Sequence, residues 1–311
     1  MLTVLWRCGL TLALLGAGLA QAGVTNTYCE RQAQLSATQQ DRLLRFSALI
    51  KSELDASGQG VAVIARAGLD LSHFGLRYSH AGLSLRNSPN SPWSVRQLYY
   101  ACDEGRPRLF DQGMAGFVYG ADSPNVGYVS VLLLPPAEAA VLERVALDDR
   151  HAMALLGGVY SANAYAYSER YQNCNQWLIE LLATAWGGDA AQADAVAGAG
   201  TVDARQQAQR WLSAQGYEPS VLKVGFPPLM WVTGLLRFVH SDDHPEADLS
   251  AHQFRVSMPD SIERFVQQRL PQQVQRLEFC YTEHHMLVHY GDAPIAAGCQ
   301  AGPGDQVISL N

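Results

Sequence analysis

The sequence has little positive charge and no segment of low complexity. It contains 22 lysines and arginines against 29 aspartates and glutamates, a formal net charge of −7. A surface that follows a phosphate backbone needs a basic face, so nucleic-acid binding is not expected. With 48% hydrophobic and 16% charged residues among 311, the composition also argues against a disordered or fibrous protein. The length suits one large domain or two smaller ones.

Long apolar runs are also missing, except at the N-terminus. There Arg7 precedes the apolar stretch Cys8–Ala20, and Ala20-Gln21-Ala22 ends it. A cation, a short apolar segment and terminal small residues are typical of a secretory signal peptide. The sequence therefore predicts a signal peptide over residues 1–22, cut after Ala22, and a periplasmic or secreted protein. No membrane span is expected in the mature chain.

No two cysteines have C-x-x-C spacing, which argues against a thioredoxin-like motif and a zinc knuckle. Once Cys8 is removed with the signal peptide, an odd number remains: Cys29, Cys102, Cys174, Cys280 and Cys299. In an oxidising compartment two disulfides can form, and one thiol is left over. Cys280 and Cys299 flank a predicted hairpin and are a candidate pair, which would leave Cys29 with Cys102.

The first half of the chain mixes helical and strand patterns. Apolar residues at helical spacing predict an amphipathic helix over Ser36–Leu54. Four apolar segments read as strands: Val61–Ala65, Tyr78–Arg86, Trp93–Cys102 and Tyr128–Leu134. The second and third are joined by a turn rich in Asn, Ser and Pro, as in a β-hairpin, and Pro136 can open a helix over 137–147. These elements predict an α+β fold with an antiparallel sheet packed on helices.

A tyrosine-rich loop over 160–171 leads to a second amphipathic helix, Asn173–Trp186, with Asn173 as its N-cap. Residues 190–200 have no periodic apolar face and are the best linker candidate. The region 201–311 should hold helices near 203–215 and 260–269, strands near 230–240 and 252–256, and a hairpin around 276–290. Whether this region is a separate domain or packs on residues 23–189 stays open.

Cys174 lies in the first turn of the predicted helix, where unpaired backbone amides carry a partial positive charge. That charge favours the thiolate, which predicts a lowered pKa for Cys174, and the same amides can stabilise an oxyanion. A nucleophile of this kind needs a base, and a histidine on a neighbouring strand can supply it. His80 begins a predicted strand in Ser79-His80-Ala81-Gly82, where small residues leave room for a helix end.

The order of a histidine strand before a cysteine helix resembles that of permuted papain-like enzymes, and this resemblance implies a third, polar residue on the strand after the histidine, where it can orient the ring. If the hairpin is centred near Asn90, Tyr100 lies opposite His80 on the same face of the sheet. A register shifted by one residue would instead place Tyr99 or Ala101 there and bring Gln97 to the histidine's side. Tyr100 is the candidate for this role, with Asp103 and Glu104 nearby as acidic substitutes.

The order of a His-x-Gly strand, further strands and an Asn-Cys helix resembles the circularly permuted NlpC-type papain-like hydrolases. The stretches GLRYSHAGLSL, VRQLYYACDEGRPRLFDQG and YQNCNQWLIELL look like a bacterial exported family known as domain of unknown function 2145. The papain-like resemblance implies a papain-like core over 23–189, with Cys174 as the nucleophile and His80 as the base. It implies hydrolysis or transfer at an amide or ester, without a cofactor. The predicted export favours a cell-wall peptide or a lipid-linked acyl group as substrate.

Simpler interpretations compete with the enzyme at each position. A cysteine on an apolar helix face and a histidine on a strand are more often packing residues than catalytic ones. Tyr165, Tyr167 and Tyr171 would line a substrate groove in an enzyme, or simply pack a loop onto the sheet. A noncatalytic cell-envelope binding or assembly protein is the main alternative.

A metal-binding envelope protein is a third possibility, because the C-terminal region is rich in histidine. The residues concerned are His240, His244, His252, His284, His285 and His289. Their spacings match no strong ligand pattern, so no metal is expected.

Overall fold

A computed structural model describes residues 35–120, 123–188, 201–225 and 237–310. The signal peptide and the linker predicted from the sequence lie outside these residues. Everything described from Leu35 onward belongs to one compact unit. No described helix is both long and apolar enough to cross a membrane.

The described part of the chain contains ten strands and eight α-helices. The strands are β1 Val61–Arg66, β2 His80–Leu85, β3 Ser94–Ala101, β4 Arg106–Gln112, β5 Gly127–Leu133, β6 Ser220–Lys223, β7 Gln253–Val256, β8 Gln275–Tyr281, β9 His285–Tyr290 and β10 Gln306–Ser309. The helices are α1 Ala37–Ala56, α2 Met114–Tyr119, α3 Pro136–Leu147, α4 Asp149–Ala154, α5 Cys174–Trp186, α6 Thr201–Ala214, α7 Glu246–Ser250 and α8 Pro259–Arg269, with a short 3₁₀ turn at Ser72–Phe74.

Within the described ranges, eight strands form one sheet in the order β10-β9-β8-β5-β1-β2-β3-β4. Every neighbouring pair is antiparallel. The predicted α+β class, with an antiparallel sheet packed on helices, is confirmed. The strands β8 to β10 come from the C-terminal region and join the same sheet as β1 to β5, so that region shares a sheet with the residues before it.

Helices cover both faces of the sheet. On one face α1 and α2 pack against side chains such as Ile64, Val95 and Val131. Residues that alternate with these, such as Val63 and Leu83, are also buried and point to the opposite face, where α3 and α5 contact the strands. Burial on both faces explains why β1 and β2 read as continuous apolar segments rather than as alternating ones.

The predicted Asn173 cap is confirmed, and the first helix is capped as well. Ser36 and Gln39 form a capping box at the start of α1, and the Asn173 side chain accepts a hydrogen bond from the backbone N–H of Gln176 at the start of α5. The helix that Pro136 opens is confirmed as well. The predicted strand near 230–240 lies mostly outside the described residues, and its described end forms a turn rather than a strand.

The cysteines follow the predicted pattern as far as they are described. Cys280 and Cys299 form a disulfide, Cys102 is disulfide-bonded, and Cys174 is a free, buried thiol. Cys29, the partner predicted for Cys102, lies outside the described residues. The disulfide between Cys280 and Cys299 ties β8 to the segment that follows β9.

Candidate functional site

The start of α5 is fixed by three polar residues that flank Cys174, namely Asn173, Asn175 and Gln176. Asn173 caps the helix by accepting from the N–H of Gln176 at 2.7 Å. The side chain of Gln176 donates to the carbonyl oxygens of Tyr165, Ala166 and Ser168. The tyrosine-rich loop is therefore held against the first turn of the helix that carries the thiol.

Asn175 connects this helix to strand β2. Its Oδ1 accepts from the backbone N–H of Ala81 at 3.0 Å, and its Nδ2 donates to the carbonyl oxygen of Ser79 at 3.1 Å. Ser79 and Ala81 are the two neighbours of His80, so this contact, here called the Asn175 clip, brackets the histidine. The structure thereby brings together the chain positions of Cys174 and His80, which are distant in sequence.

The orientation of the His80 ring is set by Gln97. The Nε2 of His80 and the Oε1 of Gln97 are 2.5 Å apart, and the Gln97 amide nitrogen donates to Oε1 of Gln112 at 2.8 Å. Because the second bond uses the amide nitrogen, a carbonyl oxygen faces the ring, and a carbonyl oxygen can only accept. The proton of a neutral His80 therefore lies on Nε2, which leaves the Nδ1 lone pair to act as a base.

The predicted register of this hairpin is wrong by one residue, and with it the position of Tyr100. The strands pair Leu83 with Arg96 and Leu85 with Ser94, so an even number of residues lies in the turn and its centre falls before Asn90. Continued to the strand start, this register places Tyr99 opposite His80, and the two rings lie 5.6 Å apart. The alternative register, which brings Gln97 to the histidine's side, is the one observed.

Tyr100 points to the other face of β3 because side chains alternate along a strand. Its ring packs 5.1 Å from that of Tyr160 and 6.1 Å from that of Phe238. Of the acidic substitutes, Glu104 pairs with Arg106 and Arg108, both on β4. The polar partner of His80 is an amide.

Burial lowers the pKa of His80, the charge of Arg66 adds to this effect and the hydrogen bond to Gln97 opposes it; together they bring the pKa to about 3. His80 is only 6% exposed. Since its pKa lies far below neutral pH, the ring is uncharged there and available as a proton acceptor.

The sulfur of Cys174 does not have the lowered pKa that its position at a helix start predicts. Burial raises its pKa to about 12, against the opposing effects of the Asn175 backbone N–H, the charge of Arg66 and the Cys174 N–H. The thiol is 7% exposed, so desolvation of the thiolate outweighs the amides. The resting site holds a neutral thiol and a neutral imidazole.

Arg66 was not singled out from the sequence, yet its charge acts on both groups. It pairs with His80 across β1 and β2, donates to the carbonyl oxygen of Gly120, and lies over the ring of Phe117 at 5.4 Å. It is the last residue of a strand that is otherwise apolar. A single cation at the end of an apolar strand is the sequence signal that could have revealed it.

The C-terminal region also contributes to the site. The Asn175 Nδ2 atom lies 4.0 Å from the sulfur of Met258, and the Asn173 side chain donates to the carbonyl oxygen of Ser257 at 3.4 Å. Both residues are buried. Ser257 and Met258 therefore close over the first turn of α5 next to Cys174, a contribution that no local motif indicates.

The tyrosines of the loop act as packing residues. Tyr167 donates to the carbonyl oxygen of Tyr217 at 2.5 Å, and Tyr171 donates to Asp242 at 2.9 Å. Tyr165 lies beside a histidine of the same C-terminal segment. These contacts favour the packing interpretation over a substrate groove lined by the loop.

The C-terminal histidines have separate partners. His240 stacks on Tyr171, His244 contacts the carbonyl oxygen of Asn163, His285 contacts that of Cys299, and His289 contacts Asp305. Within the described ranges, no group of three or more His, Cys, Asp or Glu side chains is arranged to hold a metal ion.

The pKa of Cys174 predicts how the thiol reacts with iodoacetamide. Because the thiolate is disfavoured in the folded protein, alkylation at pH 8 should be much slower than in guanidinium, where the pKa is ordinary. The rate in the folded protein should rise about tenfold per pH unit from pH 8 to 10 without a plateau. Peptide mapping measures the rate at this site, with Cys174→Ala as the unlabelled control. Fast alkylation of the folded protein at pH 7 would contradict the raised pKa.

Comparison with known proteins identifies a family. The profile of a family described as "Uncharacterized protein conserved in bacteria (DUF2145)" covers residues 53–266, more than half of the chain. That range contains His80, Gln97, Cys174 and Asn175. Neither the curated proteins nor the solved structures include a match to the chain.

Proposed function

We propose that this chain, which belongs to the bacterial family DUF2145, is a cysteine hydrolase or acyltransferase that acts on an amide or an ester. The observation that carries the proposal is the Asn175 clip, which joins the residue after Cys174 to the backbone on both sides of His80. The clip holds the start of the Cys174 helix against the strand of His80, and a thiol that reaches a histidine whose other nitrogen is held by an amide is suited to nucleophilic catalysis.

In the first half of the reaction, His80 acts as the general base. Its Nδ1 takes the proton of the Cys174 thiol as the sulfur attacks the acyl carbon, and a carbon–sulfur bond forms while the carbonyl oxygen becomes an oxyanion. Thiolate and imidazolium together carry no net charge. Their attraction therefore offsets the desolvation that opposes the ionisation of either group alone. The Gln97 carbonyl stabilises the imidazolium through Nε2–H.

When the oxyanion collapses, the bond to the leaving amine or alcohol breaks, and His80 returns its proton to that group. Water or another acceptor then attacks the thioester, His80 takes the acceptor's proton, and the carbon–sulfur bond breaks to restore the thiol. The backbone N–H groups of Cys174 and Asn175 at the start of α5 are the candidate oxyanion donors. They already act on the sulfur by lowering its pKa.

A papain-like core of the permuted NlpC type belongs to this proposal. It is supported by the order of a histidine strand followed by a cysteine helix and by the polar side chain on the ring nitrogen. Export to the periplasm or beyond is supported by the pattern of residues 1–22 and by the disulfide between Cys280 and Cys299, since such bonds persist in oxidising compartments. A cell-envelope peptide or acyl group is the corresponding substrate.

The burial of the pair favours a second candidate function. Cys174 and His80 are 7% and 6% exposed, and a site this closed would also suit a binding or assembly protein of the envelope that keeps the arrangement without turnover. Such a protein would not form a covalent intermediate.

Acyl transfer to the sulfur separates the two functions. The purified protein is incubated with p-nitrophenyl acetate, quenched in acid and examined by intact mass and peptide mapping. The enzyme should gain one acetyl group on the peptide containing Cys174, and Cys174→Ala should gain none. A Cys174→Ala protein that releases p-nitrophenol as fast as the wild type, or a wild-type protein that never carries the acetyl group, would contradict the proposed chemistry.

A further inference from the structure

A buried carboxylate on strand β8 collects donors from three parts of the chain. Glu278 is fully buried. Its Oε1 accepts from Arg77 Nη1 at 2.7 Å and from the Tyr78 hydroxyl at 2.5 Å. Its Oε2 accepts from the backbone N–H of Ile295 at 2.8 Å and from Arg276 Nη1 at 3.1 Å. Because a buried carboxylate is costly without such partners, these five residues, here called the Glu278 network, form one fixed unit.

Two of the donors belong to the segment that leads into the histidine strand. Tyr78 lies two residues before His80, and the preceding arginine lies three before it. Ser79, between Tyr78 and His80, places its carbonyl oxygen in the Asn175 clip. The start of β2 is therefore held by helix α5 through the clip and by strand β8 through the Glu278 network.

A third donor comes from the loop between β9 and β10. Besides donating its N–H to Glu278, Ile295 accepts from Arg77 Nη1 at 2.7 Å through its carbonyl oxygen. The disulfide between Cys280 and Cys299 ties the same loop to β8, two residues after Glu278. The Glu278 network therefore joins the segment before the histidine to a loop 218 residues away in sequence.

The protonation of the Glu278 network does not change near neutral pH. Burial alone would raise the pKa of Glu278, but the hydrogen bond from Tyr78 and the charge of Arg276, with the other donors, outweigh burial and lower this pKa. Burial and the charge of Glu278 raise the pKa of Tyr78. The hydroxyl therefore remains a donor and the carboxylate remains an acceptor from pH 5 to pH 8.

We propose that Glu278 is a positioning residue for His80, which extends the proposed function and rests on it. Through Arg77 and Tyr78, the carboxylate fixes the backbone from which the imidazole projects, and Gln97 then sets the orientation of the ring. Glu278 itself does not touch the substrate. When its bond to Tyr78 is lost, the start of β2 shifts and the ring no longer keeps a single position against Gln97.

Two substitutions that preserve volume test the link through acylation of Cys174 by p-nitrophenyl acetate. Tyr78→Phe keeps the ring and removes one donor to Glu278, so the rate constant at saturation should fall about tenfold while KM changes less than about twofold. Glu278→Gln keeps the shape but turns an amide nitrogen toward groups that can only donate, so the rate constant should fall further, by about 10²-fold.

Glu263→Gln is the matched control. Within the described part of the chain, Glu263 bonds to the Glu278 network only through Arg276, at 2.7 Å. Its substitution should change the acylation rate constant less than about twofold, even where it lowers the unfolding temperature. Circular dichroism with thermal unfolding shows that each variant is folded at the assay temperature. If Tyr78→Phe and Glu278→Gln are both folded and acylate as fast as the wild type, the positioning role is wrong.

NMR of the histidine rings separates failure of this role from failure of the enzyme. With isotope-labelled histidine, wild-type His80 should give one neutral tautomer with its proton on Nε2 from pH 5 to pH 8, assigned by its loss in His80→Ala. In Tyr78→Phe the signal should broaden or split. That change, without any acyl transfer to Cys174 in the wild type, would overturn the proposed function and keep the positioning of His80. Acyl transfer with an unchanged His80 signal in Tyr78→Phe and Glu278→Gln would overturn the positioning role alone.

Discussion

Replacing Arg205 by leucine is expected to lower the free energy of unfolding by about 3–5 kcal/mol. Arg205 on α6 contacts the Glu180 carboxylate on α5 at 3.0 Å, and both side chains are almost fully buried. It also donates to the carbonyl oxygens of Ser168, Glu169 and Tyr171 in the tyrosine-rich loop. Leucine would leave a buried carboxylate without its cation and would remove the guanidinium as a donor to three carbonyl oxygens. Guanidinium unfolding followed by circular dichroism measures the change.

An exposed ion pair gives the matched control. Arg45 contacts Asp41 at 2.8 Å on the surface of α1, with both side chains more than half exposed, so Arg45→Leu should change the free energy of unfolding by less than about 0.5 kcal/mol. Adding Glu180→Leu to Arg205→Leu should recover part of the loss, because the unpaired charge is then removed. Equal effects of Arg205→Leu and Arg45→Leu would show that burial of the pair does not matter.

Replacing His80 by alanine is expected to slow the acylation of Cys174 by about 10²–10⁴-fold at pH 7. Without the base, the reaction depends on the rare thiolate, so its rate should rise about tenfold per pH unit. In the wild type the low pKa of His80 keeps the ring unprotonated from pH 8 down to pH 5, and the rate should not fall with protonation of the ring over that range. Stopped-flow release of p-nitrophenol gives both profiles.

Gln97→Leu isolates the orientation of the ring. The ring remains, but Nε2 loses the carbonyl oxygen 2.5 Å away, so acylation should slow while the protein stays folded. Gln97→Glu should restore part of the rate, because a carboxylate can accept from the same Nε2–H. A wild-type rate that falls with an apparent pKa near 6.5, or a His80→Ala protein that acylates normally, would exclude the role given to the histidine.

Local patterns in the sequence predicted the helix and the strand that carry the candidate site. The pairing of the strands and the environment of the thiol depend on contacts between residues far apart in sequence. The helix of Cys174 and its Asn173 cap follow from residues close in sequence, as does the histidine strand. The register of the hairpin does not follow from residues close in sequence. A turn with an even rather than an odd number of residues places Tyr99 and Gln97 beside the His80 ring and turns Tyr100 to the other face.

Strand β4 was missed for a different reason. Its sequence, Arg106–Gln112, contains a proline and two arginines and lies at the edge of the sheet, where only one side needs a partner. The sign of the Cys174 pKa shift also depends on tertiary structure, because the helix start alone favours the thiolate and burial reverses it. The covering residues Ser257 and Met258 come from a distant segment.

The position of Met258 bears on how the protein can be dissected. A fragment that ended before β7 would retain Cys174, Asn175 and His80 but lose the residues that shield the first helical turn. It would also lack β8, which lies between β5 and β9, so β5 would become an open edge in what is now the interior of the sheet. The smallest unit that folds on its own therefore extends past Tyr281. Truncation from the C-terminal end would remove part of the sheet together with the residues that cover Cys174.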